Sequence, residues 1–83
     1  MPGIRISARK GPTPELQGIG QRIMAERKAQ RLQRRACAEM AGLSEEHLRK
    51  IEQGILQDIS ASTIIRVCRT LGMNPAYLLG LKE

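Results

Sequence analysis

Eighty-three residues make one small domain, because a chain this short buries only about 60% of its unfolded surface and has no room for a second core. With 41% hydrophobic residues, a single tyrosine and neither Trp nor Phe, the core must be aliphatic, which suits packed helices better than a sheet. The formal net charge is +6 and unevenly placed: residues 1–35 balance at +7 and residues 36–83 at −1. A basic half of this kind points to a polyanionic partner, nucleic acid ahead of a membrane surface, with a solvated charged face as the alternative. Cys37 and Cys68 are too few for a disulfide framework, and with His47 as the one histidine and no CxxC they form no zinc site. Both fall in apolar helical register, as buried thiols do. No stretch resembles a signal peptide or a membrane span, so a cytoplasmic location is expected. An enzyme is excluded on inventory, since the chain lacks paired carboxylates in a plausible cleft, a Gly-rich phosphate loop and an activated nucleophile. Neither a metal nor a cofactor is expected.

Residues 1–13 read as a flexible basic arm. MPGIRISARKGP has Pro and Gly at both ends and no helical periodicity, so no regular structure is expected there. Residues 14–83 form the domain proper. Thr13 can cap a first helix, Pro14 suits its first position and Glu15 complements its dipole. Leu16, Ile19 and Ile23 then continue an apolar stripe, predicting a helix over Pro14–Ala29.

A second helix, Gln33 to Ala41, presents the small residues Cys37, Ala38 and Ala41 on one face and stops at Gly42. Ser44 caps a third, whose Leu48 and Ile51 face inward and which Gly54 ends. After the loop ILQDIS a fourth helix begins at Ser60 or Ser62, with Ile64, Val67, Cys68 and Leu71 in one stripe before Gly72. Asn74 and Pro75 open a fifth, PAYLLG. No strand and no repeat is expected; the fold class is all-α.

The second and third helices have helix-turn-helix spacing, which demands a small residue where the helices touch and a residue without Cβ in the turn. Ala38 and Gly42 supply them, leaving Glu45, Glu46, His47, Arg49 and Lys50 outward. The runs IGQRIMAERKAQRLQRRACAEMAGLSEEHLRKIEQG and STIIRVCRTLGMNPAYLLG resemble the phage-repressor/Cro-like (XRE-type) helix-turn-helix family. Ile19, Gly20, Arg22, Ile23 and Arg27 match its first stretch, and Leu32, Ala38, Ala41, Gly42, Leu43 and Ser44 its second. Leu48, Ile51, Glu52 and Gly54 match the third, and Thr63, Ile64, Arg66, Val67, Leu71, Gly72 and Met73 the last. The resemblance covers about Leu16–Gly80 and implies a compact five-helix bundle of the lambda-repressor-like type.

It also implies sequence-specific binding to double-stranded DNA, the third helix lying in the major groove and the start of the second meeting phosphate. Gln33 and Arg34 occupy the contact positions of the second helix, and Ser44, Glu45, Glu46, His47, Arg49, Lys50 and Gln53 those of the third. Arg49 and Lys50 can donate to guanine or to phosphate. Glu45 and Glu46 either accept from cytosine N4 or complement the helix dipole. Arg27 and Glu52 stand where family members often hold a buried ion pair.

Three departures from the family pattern stand out. Arg31 replaces the usual Gly after the first helix, so a longer or differently shaped turn is expected. Glu26 occupies a commonly apolar position. Ile55–Ile59 lacks the customary Pro and any basic residue, so the arm, with Arg5, Arg9 and Lys10, is the candidate for a minor-groove contact, or else merely solubilises. Function is expected to be that of a homodimeric transcriptional repressor on a palindromic operator, paired through Tyr77, Leu78, Leu79 and Leu81. The alternative is an interaction module of the same fold, an antitoxin or anti-regulator that holds another protein. Family and size suggest a bacterial or phage-encoded, nucleoid-associated regulator.

Overall fold

The computed structural model describes residues 5–7, 14–56 and 58–81. In chain order the elements are β1 (Arg5–Ser7), α1 (Pro14–Ala29), α2 (Arg34–Ala41), α3 (Glu45–Gln53), β2 (Asp58–Ser60), α4 (Ala61–Leu71) and α5 (Pro75–Leu78). The all-α reading holds for the body of the domain. Two strands that the sequence does not announce are added, pairing antiparallel with Ile6 opposite Ile59. The expectation of no regular structure before α1 therefore fails for Arg5–Ser7, whose backbone supplies the partner for β2. Thr13, the expected cap of α1, lies outside the described residues.

Each helix boundary has a local cause. Ser44 Oγ accepts from the His47 N–H at 3.0 Å, and Ser60 Oγ from the Thr63 N–H at 3.2 Å, so Ser60 and not Ser62 caps α4. Asn74 Oδ1 caps α5 through the Ala76 N–H, 2.8 Å away. Gly42, with φ 71°, closes α2 by letting its own N–H reach Glu39 O and the Leu43 N–H reach Ala38 O.

The end of α1 has the same geometry without the glycine. Arg31 sits at φ 58°, its N–H bonded to Lys28 O and the Leu32 N–H to Arg27 O. The turn thus keeps the shape a glycine would allow, and neither the longer nor the altered loop is present. An arginine there carries a left-handed strain of roughly 1–2 kcal/mol. Glu26 is accommodated by Gln30, whose Nε2 donates to the Glu26 carboxylate at 3.1 Å and to Leu71 O at 2.7 Å, joining α1 to the end of α4.

The core is aliphatic, as the composition requires. Leu16, Ile19, Ile23, Leu48, Ile51, Val67 and Leu78 are its largest fully buried apolar side chains. α1 lies against α3 at Gly20, where an added Cβ would run into the carbonyl oxygen of Ile51 and stand 2.8 Å from that of Glu52. Leu78 was expected at a dimer surface, but it is 0% exposed. Its side chain completes the core, while its carbonyl accepts from Arg22 Nε at 2.9 Å, tying α5 back to α1. Ile59 is buried from β2, so that short strand also contributes to the core.

Two substitutions test these packing arguments through urea denaturation. By helix propensity alone Gly20→Ala would stabilise by about 1 kcal/mol; the contact with α3 reverses the sign, and a loss of about 2–3 kcal/mol is expected. Arg31→Gly removes the left-handed strain but frees the unfolded chain, leaving a net gain of roughly 0.5–1 kcal/mol.

Candidate nucleic-acid interface

The helix that would face DNA is held from below by a buried carboxylate. Glu52, on the inner side of α3 and 2% exposed, accepts from Arg27 Nε at 2.7 Å and from Arg27 Nη2 at 3.0 Å. Arg27 is itself buried and uses Nη1 to bond Leu32 O at 2.8 Å, so one guanidinium links α1, the following turn and α3. Its pKa is raised chiefly by the Glu52 hydrogen bond, which outweighs the opposing effect of burial. The Arg27–Glu52 pair is thus present as the family resemblance implied.

Arg34 adds a link the sequence does not reveal. Its Nε donates to Glu52 Oε1 at 3.1 Å, with the side chain 29% exposed. A residue expected at a phosphate is therefore also part of the frame, drawing the start of α2 onto α3. Gln33, the residue before it, is exposed and takes the cap position without a side-chain hydrogen bond.

The outward side of α3 carries Glu45, Glu46, His47 and Gln53 fully on the surface and Arg49 and Lys50 half-buried. Ser44 is exposed too, but its hydroxyl is engaged in capping. Arg49 donates from Nε and Nη2 to the two oxygens of Glu46, at 2.6 and 2.7 Å, and from Nη1 to Gln53 Oε1 at 2.7 Å. The Arg49 guanidinium holds the Glu46 carboxyl below its usual range, and Glu46 raises Arg49 in return. Both carboxylate oxygens of Glu46 are occupied, so reading cytosine from this geometry would require breaking the pair. Among the described residues Glu45 forms no such pair, and it stands in the first turn, where a negative charge complements the dipole.

Elsewhere the expected residues scatter. Arg9 and Lys10 lie outside the described residues, and Arg5 is placed only through its backbone in β1. Of the C-terminal group, Tyr77 is 46% and Leu81 78% exposed, Leu79 packs half-buried against the core, and Leu78 is interior. An open groove of about 260 Å³ runs between α4 and the start of α5, lined by Ile65, Cys68, Arg69, Gly72, Met73 and Pro75. Burial pushes the thiols of Cys37 and Cys68 up, which keeps them protonated and unreactive at neutral pH. No helix of the described residues is long and apolar enough to cross a membrane, and no group of potential ligands among them could hold a metal ion.

This arrangement has known counterparts. A helix-turn-helix family model matches residues 23–78, from the middle of α1 to the end of α5. Among solved structures, the restriction-modification controller protein C.AhdI from Aeromonas hydrophila is 26% identical, with a TM-score of 0.74 over 80% of this chain and 98% of that one. The biofilm master regulator SinR, solved in complex with DNA, is 31% identical with a TM-score of 0.70, covering 74% of this chain and 97% of that one; its DNA-binding domain is also solved from Bacillus subtilis. The P22 c2 repressor, solved with a synthetic operator, is 25% identical with a TM-score of 0.71, covering 77% and 96% of the two chains. No curated protein matches. The chain belongs to the XRE-type helix-turn-helix family and is a DNA-binding transcription regulator.

Proposed function

We propose that the protein is a homodimeric repressor that places α3 in the major groove of a palindromic operator, with the start of α2 against phosphate. The observation that carries this reading is the division of α3 into two sides. Leu48, Ile51 and Glu52 anchor one side in the core, and the other carries only polar and charged residues. A helix seated this firmly, with a polar face and no packing duty on that face, is suited to enter a groove. Lys50 and Arg34 supply the phosphate contacts, and Lys50, Arg49, His47 and Gln53 lie within the face that would meet base edges. The arm residues Arg5, Arg9 and Lys10 are assigned to the adjacent minor groove or backbone. The solved complexes of SinR with DNA and of the P22 c2 repressor with an operator support DNA as the partner.

Dimerisation is assigned to Tyr77, Leu79 and Leu81 with Ile65 on the rim of the groove between α4 and α5, because Ile65 on α4, Tyr77 on α5 and Leu81 just after it are large apolar side chains left exposed. A second reading, in which the fold holds a partner protein, is favoured by the solved SinR–SinI complex. Under that reading partner binding would survive Lys50→Ala.

Selection of bound duplexes from a random pool separates the two readings. The repressor reading expects a palindromic consensus with half-sites one turn apart, about 34 Å. On the selected duplex, Lys50→Ala should lower the slope of log K against log salt by about one. A pool with no consensus contradicts the proposal.

A further inference from the structure

We propose that Glu46 is a positioning residue which fixes the Arg49 guanidinium so that α3 selects guanine at one position and holds Arg49 away from phosphate. The inference rests on the reading of α3 as the groove-facing helix and adds a division of labour within it.

Glu46, Arg49 and Gln53 stand three and four residues apart and so share one helix face. Arg49 is gripped from two sides: Nε and Nη2 by the Glu46 carboxylate, Nη1 by the Gln53 carbonyl. A surface arginine normally samples many rotamers and loses that freedom on binding; this one is already held in a plane. Of its five N–H groups three are engaged, which leaves one on Nη1 and one on Nη2. Two neighbouring donors match the O6 and N7 acceptors of guanine, whereas adenine offers one acceptor and one donor at the same edge.

Charge works in the same direction. Glu46 neutralises Arg49, and Glu45 stands exposed beside it. A phosphate approaching this part of the helix therefore gains little from Arg49 and meets the negative charge of Glu45, while Lys50 and the Nη groups of Arg34 stay available for the backbone. Because Arg49 keeps Glu46 ionised below the ordinary carboxylate range, the grip persists across neutral and mildly acidic solution. The acidic opening of α3 thus acquires a role through Arg49 and not through direct acceptance from cytosine.

The test repeats the random-pool selection with Glu46→Gln and with Arg49→Lys, both exposed or half-exposed sites whose replacement should leave helicity unchanged. Gln keeps the shape of Glu46 but cannot hold the fork through two acceptors, and Lys has no fork to be held. Guanine preference at one position, on the order of tenfold for a fixed arginine, should fall several-fold, at the same position for both variants. Glu46→Gln alone should also bind unrelated duplex more tightly, with a salt slope steeper by up to about one, because Arg49 is then free to turn to phosphate. If Glu46→Gln raises affinity uniformly and leaves every position weight unchanged, or if Arg49→Lys alters no position, this proposal is overturned and the repressor reading stands. A wild-type protein that selects no consensus removes both.

Discussion

The Glu52 carboxylate takes three hydrogen bonds from two arginines, and those bonds decide where α3 sits relative to α1 and α2. A buried charge of this kind is costly to desolvate and returns stability only when its partners and geometry are nearly complete. Here they are: Arg27 is fixed by Leu32 O as well as by Glu52, and no buried side-chain polar atom among the described residues lacks a partner. Gly20 permits the approach that makes the pair possible, since α1 meets the carbonyls of Ile51 and Glu52 with no side chain between them. A glycine on one helix, an acid on another and two arginines thus share one geometric requirement.

With its inner side committed in this way, α3 carries an outer side of polar and charged residues that the core does not require. That freedom explains how a basic protein tolerates Glu45 and Glu46 at the opening of the helix. The positive charge that attracts DNA is concentrated before residue 36, whereas α3 itself carries acids that complement its dipole and restrain Arg49. Affinity and discrimination are separable jobs, and under the proposed reading they would fall to different elements.

Much of this was legible in the sequence because the helices declare themselves locally. Caps at Ser44 and Asn74, Pro14 and Pro75 at first positions, and glycines after α2, α3 and α4 mark boundaries without reference to the rest of the fold. The strands did not declare themselves for the opposite reason: RIS and DIS are each one isoleucine between two polar residues, too short for a period of two to be recognised. Leu78 was misplaced because exposure of a short terminal helix depends on which face α1 and α4 leave open, and spacing within α5 alone does not contain that. The Arg34–Glu52 bond was hidden by a similar limit. Both residues had plausible roles singly, and their proximity follows only from the angle at which α2 crosses α3. Arg31 shows the converse, where a missing glycine suggested a changed loop but the surrounding hydrogen bonds hold the left-handed conformation anyway.

The claim that Glu52 and its arginines frame the domain is tested most directly by a double-mutant cycle on the buried pair, read as unfolding free energy in urea. Glu52→Leu should cost about 3–5 kcal/mol because it strands the buried Arg27 charge, Arg27→Met should cost less than that but more than a surface pair because Arg34 still donates to Glu52, and the double variant should cost less than Glu52→Leu alone. Single variants that lose under about 1 kcal/mol, the range of a surface pair, or a double variant whose loss equals the sum of the two, would contradict it.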